Sequence, residues 1–352
     1  MTKHVAVIGS GVMGHGIAQL YALAGFPVSL YDLQEELLHK AKASIEQSLA
    51  LLEQEGVITG QDKSNALERI TLTTDLQQAV ADADVITEAV PEVIELKWQL
   101  FATLEQYAKP EAIIASNTST FSIARLIEKA QSPHRFIITH FFNPAQLVPL
   151  VEIVRHEKTA EEVVRATVEL MKRIGKAPVL LKKDVPGFIA NRLQAALMRE
   201  AFHLLAEGVA DAEEIDTVMK EGIGFRWAFV GPIETADFGG LDTWKRVMDN
   251  LAPELDQSTT APAIIAERVE KGELGTKSGT GIYAYERTSV AEKLHARDEQ
   301  FIRLAKLKKV ARAKAGHKKV GVDPGLFAPK MSNFLAPSAK STLIFARFTV
   351  AI

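Results

Sequence analysis

Cysteine is absent from the 352-residue sequence, and aromatic residues make up only 7% of it. The lack of cysteine excludes disulfide bonds, thiolate metal sites and a cysteine nucleophile. It is also compatible with a reducing compartment, and we expect a cytoplasmic protein with no bound metal. A hydrophobic content of 47% is nevertheless enough for a buried core, and the length predicts about two domains.

Acidic residues are scarce in the last part of the chain. Residues 303–352 contain 11 lysines and arginines but a single acid, Asp323, whereas the rest of the chain has 30 basic and 43 acidic residues. The net charge of −3 therefore combines an acidic body with a basic C-terminal segment. Because aromatic residues are not interleaved with the basic ones, we expect no nucleic-acid partner and a solvated extension that is partly helical to about residue 315 and loosely ordered beyond it.

Charged residues are also missing from His4 to Tyr31, a run of 28 residues. The run contains five glycines, two histidines, two serines and a glutamine, which is atypical of a membrane-spanning helix. It has neither the basic start nor the continuous apolar stretch of a signal peptide. We interpret it as a strand, a glycine-rich turn and a helix, and expect no membrane partner.

Short apolar runs alternate with helical patterns in the first half of the sequence. The predicted strands are His4–Gly9, Val28–Tyr31, Ile70–Thr73, Val85–Ala89, Ala112–Ser116, Phe136–His140, Leu150–Val154 and Pro178–Leu181. The predicted helices are Gly14–Ala24, Glu35–Gln54, Leu76–Val80, Leu96–Tyr107, Thr120–Lys129 and Ala160–Ile174. The alternation predicts an α/β fold with a doubly wound sheet, parallel at first and mixed in its last strands.

Beyond Pro186 the pattern becomes almost entirely helical. Apolar residues with helical spacing fall in Ile189–Glu207, Ala212–Glu221, Gly239–Asn250 and Ala261–Lys271. We therefore predict a sheet domain over residues 1–184, a smaller all-helical domain over 185–302 and a basic C-terminal extension over 303–352.

A glycine motif of the form GxGxxG follows the first predicted strand and opens the first predicted helix. Asp32 ends the second predicted strand, 18 residues after Gly14. A carboxylate there can accept hydrogen bonds from the ribose hydroxyls and would repel a 2′-phosphate, so a Rossmann-type site for NAD is favoured over one for NADP. The residues predicted to surround the cofactor at this turn are Gly9, Gly11, Val12, Met13 and Gly14.

A histidine and a glutamate occupy unexpected places in two neighbouring apolar runs. His140 ends a predicted strand, and Glu152 lies within LVPLVEIV. A lone acid is costly to bury unless it is paired, and a strand–turn–strand could bring the two together. Glu152 would then orient the imidazole, and His140 could take a hydroxyl proton while hydride leaves. The alternative is a core histidine and an unrelated edge-strand glutamate.

Polar residues also follow the predicted strand Ala112–Ser116. Asn117 and Ser119 lie where the carboxyl end of a parallel strand faces the ligand crevice, although a helix N-cap would use the same residue types. Asn191 begins the first helix of the second domain. There it either faces the crevice or occupies an ordinary polar helix position.

Six segments together resemble the L-3-hydroxyacyl-CoA dehydrogenase family, over about residues 4–302. They are GSGVMGHGIAQ, EAVPEVIELKWQLF, ASNTSTFSI, ITHFFNPAQLVPLVEIV, KDVPGFIANRL and KSGTGIYAY. The resemblance implies oxidation of (S)-3-hydroxyacyl-CoA to 3-oxoacyl-CoA with NAD⁺, as in fatty-acid or butanoate metabolism. It also implies an active site between two domains and a homodimer formed through the helical domain.

The resemblance also implies roles for individual residues. His140 would be the general base, with Glu152 as its partner, and Ser119 and Asn191 would hold the substrate's 3-oxygen. Near the nicotinamide it implies roles for Glu92, Lys97 and Asn117.

One stretch departs from the acyl-CoA pattern. Arg226 and Trp227 stand before a Gly-Pro pair where short-chain members more often have Pro-Met-Gly-Pro. An Arg–aromatic pair there resembles the gulonate 3-dehydrogenase and lambda-crystallin branch, and a guanidinium can pair with a free carboxylate. The HFFNP segment at 140–144 favours the acyl-CoA members. A short-chain acyl-CoA substrate, a free hydroxy acid and a non-catalytic NAD-binding protein therefore stay open.

Overall fold

The computed structural model describes residues 2–285 and 287–314 of the chain. Residues up to Lys309 belong to one compact unit. Its first part is built on an eight-stranded sheet. The strands are β1 (Val5–Ile8), β2 (Val28–Tyr31), β3 (Ile70–Thr73), β4 (Val85–Glu88), β5 (Ile113–Ser116), β6 (Phe136–Phe141), β7 (Leu150–Val154) and β8 (Ala177–Leu180).

The strand order is β3-β2-β1-β4-β5-β6-β7-β8. All neighbouring strands are parallel except β6 and β7, which run antiparallel. Strands β1, β2, β4 and β5 are buried over their whole length, as expected of parallel strands covered on both faces. The predicted doubly wound sheet with a mixed end is confirmed.

Helices cover both faces of the sheet, and each face has its own hydrophobic core. The helices of this part are α1 (Gly14–Leu23), α2 (Glu35–Gln54), α3 (Gly60–Glu68), α4 (Leu76–Val80), α5 (Ile94–Tyr107), α6 (Ile123–Leu126) and α7 (Glu161–Arg173). Strand β1 is followed by the glycine turn and then by α1. The uncharged run that begins at His4 is therefore a strand, a turn and a helix, as the sequence predicted.

Two helices differ from the sequence expectations. The predicted helix Thr120–Lys129 is wrong in extent, because only Ile123–Leu126 is helical. The backbone N–H of Thr120 donates to the Glu92 carboxylate at 3.1 Å instead of entering a helix. Helix α3 was not predicted. It begins with a capping box, in which Thr59 and Asp62 bond each other's backbone N–H groups.

A helical part follows the sheet. Its helices are α8 (Ala190–Ala206), α9 (Ala212–Val218), α10 (Gly224–Trp227), α11 (Pro232–Gly239), α12 (Leu241–Leu251) and α13 (Ala263–Glu270). A π-helical turn over Met219–Ile223 joins α9 to α10. None of these helices contains a fully buried residue. A helical layer without a core of its own normally packs on another surface.

A last helix, α14 (Arg287–Lys314), returns to the sheet part. Ile302 is 3% exposed and belongs to the core that contains residues of α1 and α2. Arg303 lies 3.2 Å from the Glu55 carboxylate just after α2, and Lys306 also contacts Glu55. The predicted boundary at residue 302 therefore falls inside a continuous helix. The rest of the predicted extension, 315–352, lies outside the described residues.

No helix among residues 2–285 and 287–314 has both the length and the apolar character needed to cross a bilayer.

Candidate active site

The glycine turn between β1 and α1 has the shape that a dinucleotide needs. Gly9 has a φ of +98°, and a Cβ at this position would lie 2.7 Å from the Ala89 carbonyl oxygen. A Cβ at Gly14 would collide with the Gly9 carbonyl, whereas one at Gly11 would meet no atom within 4 Å. The turn is therefore packed tightly on its inner side and open at Gly11, which leaves room for a pyrophosphate at the N-terminus of α1.

Asp32 follows β2 directly beside this turn. Its Oδ2 accepts hydrogen bonds from the backbone N–H and the hydroxyl of Ser10, at 2.8 and 2.7 Å. Its Oδ1 accepts one from the Leu33 N–H at 2.8 Å. The carboxylate is thus fixed at the edge of the turn, and its remaining lone pairs fit the hydroxyls of an NAD ribose.

His140 and Glu152 lie opposite each other in the antiparallel β6–β7 pair. The Nδ1 atom of His140 is 3.0 Å from Oε2 of Glu152. The two residues are 4% and 1% exposed. Since an ionised carboxylate only accepts hydrogen bonds, Nδ1 donates to it and Nε2 is the nitrogen left for a substrate.

The second carboxylate oxygen of Glu152 lies at the N-terminus of α8. It accepts the backbone N–H groups of Ile189 and Ala190, each at 2.9 Å. Burial alone would raise the pKa of Glu152, but the hydrogen bonds from His140 and from these two amides outweigh it and lower the pKa below its ordinary value. Glu152 is therefore charged at neutral pH and joins the sheet to the first helix of the helical part.

Two aromatic rings flank the imidazole. The Phe142 and Phe188 ring centroids lie 4.5 and 5.4 Å from that of His140. Phe188 is 1% exposed and has a φ of +53°, a conformation that non-glycine residues adopt only under strain. The rings shield the His140–Glu152 pair from water.

Asn117 positions the end of the strand that carries the histidine. Its side-chain Oδ1 accepts the backbone N–H of Phe141 at 2.9 Å, and its own N–H donates to the Glu88 carbonyl at 2.8 Å. Asn117 was predicted to contact the cofactor. The structure shows a contact with β6, and the cofactor contact stays a prediction.

Ser119 and Asn191 come together from the two parts of the chain. The Asn191 side-chain amide lies 3.5 Å from the backbone carbonyl of Ser119. Both residues are half-buried. Asn191 directly follows Ala190, whose N–H donates to Glu152. The hydrogen bonds between Glu152 and the start of α8 therefore also place Asn191 next to Ser119.

Lys97 forms a buried ion pair with Glu88 and a second ion pair with the more exposed Glu92. The Lys97 ammonium is 1% exposed and lies 2.6 Å from Glu88 and 3.1 Å from Glu92. Its donors are therefore taken by protein carboxylates, and its predicted place beside the nicotinamide ribose stays a prediction. Sequence reasoning missed Glu88. The available signal was the one used for Glu152, an acid within an apolar run, here VITE.

Glu92 also holds the loop that contains Ser119. Its Oε1 accepts the hydroxyl of Thr118 and the backbone N–H groups of Ser119 and Thr120, the last two at 3.1 Å. Burial would raise the pKa of Glu92, but hydrogen bonds from the hydroxyls of Thr118 and Thr120, together with the charge and hydrogen bond of Lys97, lower it to about 2. The loop after β5 is thus hydrogen-bonded to a carboxylate, that of Glu92, which is ionised at neutral pH.

Arg226 is exposed on α10, in the helical part. It lines a cavity of about 460 Å³ together with Phe225, Phe229, Phe238 and Trp244. No group of three or more histidine, aspartate or glutamate side chains suited to a metal ion occurs in the described part of the chain.

Comparisons with known proteins agree with this architecture. Residues 4–185 match the family model described as 3-hydroxyacyl-CoA dehydrogenase, NAD binding domain. Residues 187–285 match the one described as 3-hydroxyacyl-CoA dehydrogenase, C-terminal domain.

Individual relatives are similar over most of the chain. The probable 3-hydroxybutyryl-CoA dehydrogenase of Deinococcus radiodurans is 41% identical over 79% of this chain and 99% of its own. The solved (S)-3-hydroxybutyryl-CoA dehydrogenase of Ralstonia eutropha is 36% identical, with a TM-score of 0.67 over 81% of this chain and all of its own.

A second solved structure matches a longer part of the chain. It is a 5-formyl-3-hydroxy-2-methylpyridine 4-carboxylic acid 5-dehydrogenase, described as an NAD⁺-dependent dismutase. It is 31% identical, with a TM-score of 0.81 over 90% of this chain and all of its own. The family predicted from the sequence and its cofactor, NAD, are both confirmed. This chain is an NAD-dependent oxidoreductase that belongs to the 3-hydroxyacyl-CoA dehydrogenase family.

Proposed function

We propose that the protein oxidises the 3-hydroxyl group of a short-chain (S)-3-hydroxyacyl-CoA, such as 3-hydroxybutyryl-CoA, to the 3-oxoacyl-CoA. The observation that carries the proposal is the buried hydrogen bond between His140 and Glu152. The sequences of two 3-hydroxybutyryl-CoA dehydrogenases, similar to this chain at 41% and 36% identity, support the substrate class.

His140 acts as the general base in oxidation. Its Nε2 takes the proton of the substrate hydroxyl as the hydrogen on C3 leaves with its electron pair, and C3 and its oxygen become a carbonyl. Bound NAD⁺ supplies the acceptor for that hydride. The negative charge of Glu152 stabilises the imidazolium that results, and the low-dielectric surroundings strengthen this interaction. In the reverse reaction the imidazolium returns the proton.

Other residues hold the reactants in place. Ser119 and Asn191 hydrogen-bond the 3-oxygen from the two sides of the interdomain contact. The turn from Gly9 to Gly14, with the backbone of Val12 and Met13, holds the pyrophosphate, and Asp32 holds the adenosine ribose. Glu92 holds the loop after β5 through its hydrogen bonds, and Lys97 pairs with Glu92. In this way both residues support Asn117 and the nicotinamide end of the cofactor site.

A substrate panel tests the proposal. Purified protein is assayed with NADH and NADPH against acetoacetyl-CoA, longer 3-oxoacyl-CoAs and free 3-oxo acids. We expect oxidation of NADH, fastest with acetoacetyl-CoA and at least tenfold slower with NADPH. A failure to oxidise NADH with any 3-oxoacyl-CoA contradicts the proposal.

A free carboxylic acid is the second candidate substrate. Two observations favour it. The solved pyridine carboxylic acid dehydrogenase has a higher TM-score over a longer part of this chain than the Ralstonia enzyme has, 0.81 against 0.67. The exposed guanidinium of Arg226 borders an apolar cavity and can bind a carboxylate in bidentate fashion. Activity with free acids alone in the panel would select this candidate.

The helical part also supports a homodimer. Large apolar side chains are exposed on several of its helices: Phe225 is 69%, Ile233 80%, Phe238 75% and Leu241 64% exposed. Exposed apolar surface of this extent marks an interaction site, and a second copy of the chain would bury it. We assign NAD binding to the sheet domain of residues 1–184. We assign substrate binding and dimerisation to the domain of residues 185–302. The cytoplasmic location stays a prediction.

A further inference from the structure

The connection between β6 and β7 (residues 142–149) joins the strand of His140 to the strand of Glu152. It also forms one wall of a cavity of about 310 Å³ beside the glycine turn. Residues of the connection that line this cavity are Asn143, Pro144, Gln146 and Leu147, and Val12 of the turn lies across from them. Its first residue, Phe142, packs against the imidazole of His140, with the two ring centroids 4.5 Å apart. What holds the connection in place therefore bears on the proposed active site.

One side chain from elsewhere in the fold reaches into this connection. Lys176 is 7% exposed, and its ammonium donates to the backbone carbonyls of Ala145 and Val148, the latter at 2.8 Å. Ala145 is fully buried. Without the ammonium, both carbonyls would lose a charge-assisted hydrogen bond, and the buried one would have no solvent to replace it.

The end of α7 aims this lysine inwards. Gly175 has a φ of +79°, its N–H bonds the carbonyl of Lys172, and the N–H of Lys176 bonds the carbonyl of Met171. This is a Schellman arrangement, which reverses the chain at the helix end. The N–H of Ala177 then bonds the carbonyl of Pro149, so Lys176 is held directly beside the connection.

The ammonium lies in unusual surroundings for a buried cation. No acidic side chain in the described part of the chain forms an ion pair with it, whereas the neighbouring Lys172 pairs with Glu169 on the exposed side of α7. From β6 it faces the ring of Phe141, with Nζ 5.9 Å from the ring centroid. Burial alone lowers the pKa of Lys176 to about 7.

We propose that Lys176 is a positioning residue, whose ammonium holds the β6–β7 connection in the conformation that binds substrate. The inference rests on the proposed function only for its effect on substrate affinity. Since His140 is held separately by strand pairing and by Glu152, loss of the ammonium raises KM more than it lowers kcat.

The variant Lys176→Met tests this, with Lys172→Met, in the last turn of α7, as the matched control. The N–H groups of Leu147 and Val148 both bond the Pro144 carbonyl within the connection. We expect their hydrogen exchange to become about tenfold faster in Lys176→Met than in the control at the same pH, the loss expected for a hydrogen bond to a charged group. Equal exchange in the two variants contradicts the proposal.

Kinetics give a second measurement. In the wild type, KM for acetoacetyl-CoA should rise between pH 6 and 8.5 as Lys176 loses its proton. In Lys176→Met it should be about tenfold higher at pH 6 and independent of pH. If Lys176→Met does not fold, Lys176→Arg replaces it, because arginine stays charged and should keep KM low over this range. A Lys176→Arg enzyme that follows the wild-type pH curve overturns the proposal.

The two proposals fail separately. If the protein does not turn over acyl-CoA, the proposed function is wrong, but the exchange of the Leu147 and Val148 amides still decides whether Lys176 holds the connection, because it needs no substrate.

Discussion

Glu152 binds His140 through one carboxylate oxygen and the start of α8 through the other. The same carboxylate thus fixes the imidazole and joins the sheet to the helix that carries Asn191. A change at Glu152 should therefore affect proton transfer and the placement of the helical part together, whereas a change at His140 should affect proton transfer alone.

Replacement of His140 by alanine removes the proposed base. We expect kcat to fall by at least about 100-fold, with NAD affinity little changed, because general acid–base catalysis contributes at least that much. Steady-state kinetics and NADH fluorescence titration measure the two effects. His134→Ala, an exposed histidine on the turn before β6, is the control and should match the wild type. Unchanged turnover in His140→Ala rules out the assignment.

Glu152→Gln keeps the shape of the side chain and removes its charge. Its folded-state pKa lies below the ordinary 4.5, so Glu152 stabilises the fold above pH 4.5 and loses that contribution as the pH falls through the folded-state value. We expect the free energy of unfolding of the variant to depend less on pH below 4.5, and kcat to fall at least tenfold. Urea unfolding from pH 3 to 7 measures the first effect. Identical acid limbs for variant and wild type would refute it.

The sheet and the glycine turn were predictable because their signals are local. Apolar runs between turn residues predict the bounds of β1 to β8 to within a residue or two. The GxGxxG motif together with Asp32 identifies the cofactor as NAD. The pairing of His140 with Glu152 required only that two neighbouring strands be antiparallel.

The parts that were missed depend on contacts distant in sequence. Glu92 accepts a hydrogen bond from the N–H of Thr120, 28 residues away, and α6 is shorter as a result. The helical spacing of apolar residues does not reveal such a contact. The role of Glu88 with Lys97, and that of Lys176 with the β6–β7 connection, likewise depend on residues brought together only by the fold. Helix α14 has no amphipathic stripe to distinguish a packed from a solvated helix, and its docking is visible only in the fold, where Ile302 is buried and Arg303 and Lys306 contact Glu55.

Arg226→Ala separates the two candidate substrates. If the substrate is a free acid, the loss of a bidentate pair should raise KM for that acid at least tenfold. If the substrate is an acyl-CoA, the variant should show the wild-type kcat/KM with acetoacetyl-CoA. Lys245→Ala, another exposed cation of the helical part, is the control.

Ile302→Ala tests the attachment of α14. Because the side chain is 3% exposed in the core of the sheet part, its truncation should lower the free energy of unfolding by about 2–5 kcal/mol. Leu307→Ala on the same helix, where the side chain is 62% exposed, should change it by less than about 0.5 kcal/mol. Denaturant titration compares them. Equal effects of the two substitutions on the free energy of unfolding would contradict the packing of α14. In a separate test, a chain ending at Lys314 should keep the wild-type activity.

Phe238→Asp tests the homodimer. If the helical part forms the proposed dimer, the charge should convert that dimer into a monomer, because it would be buried in the interface without a partner. Sedimentation at several protein concentrations measures the change. Val57→Asp alters an apolar residue of the sheet part that is 48% exposed and should leave the dimer intact. A wild-type chain that sediments as a monomer at all concentrations would disprove the assembly.

The return of α14 to the sheet means that the sheet part takes core residues from segments on both sides of the helical part. Its core takes residues from α1 and α2 and then Ile302, with the whole helical part inserted between them. During synthesis the glycine turn and the eight strands leave the ribosome long before this last core residue does. The nascent sheet part therefore exposes an unfilled apolar patch beside α2 until Ile302 has left the ribosome, and chaperones have that interval in which to bind it.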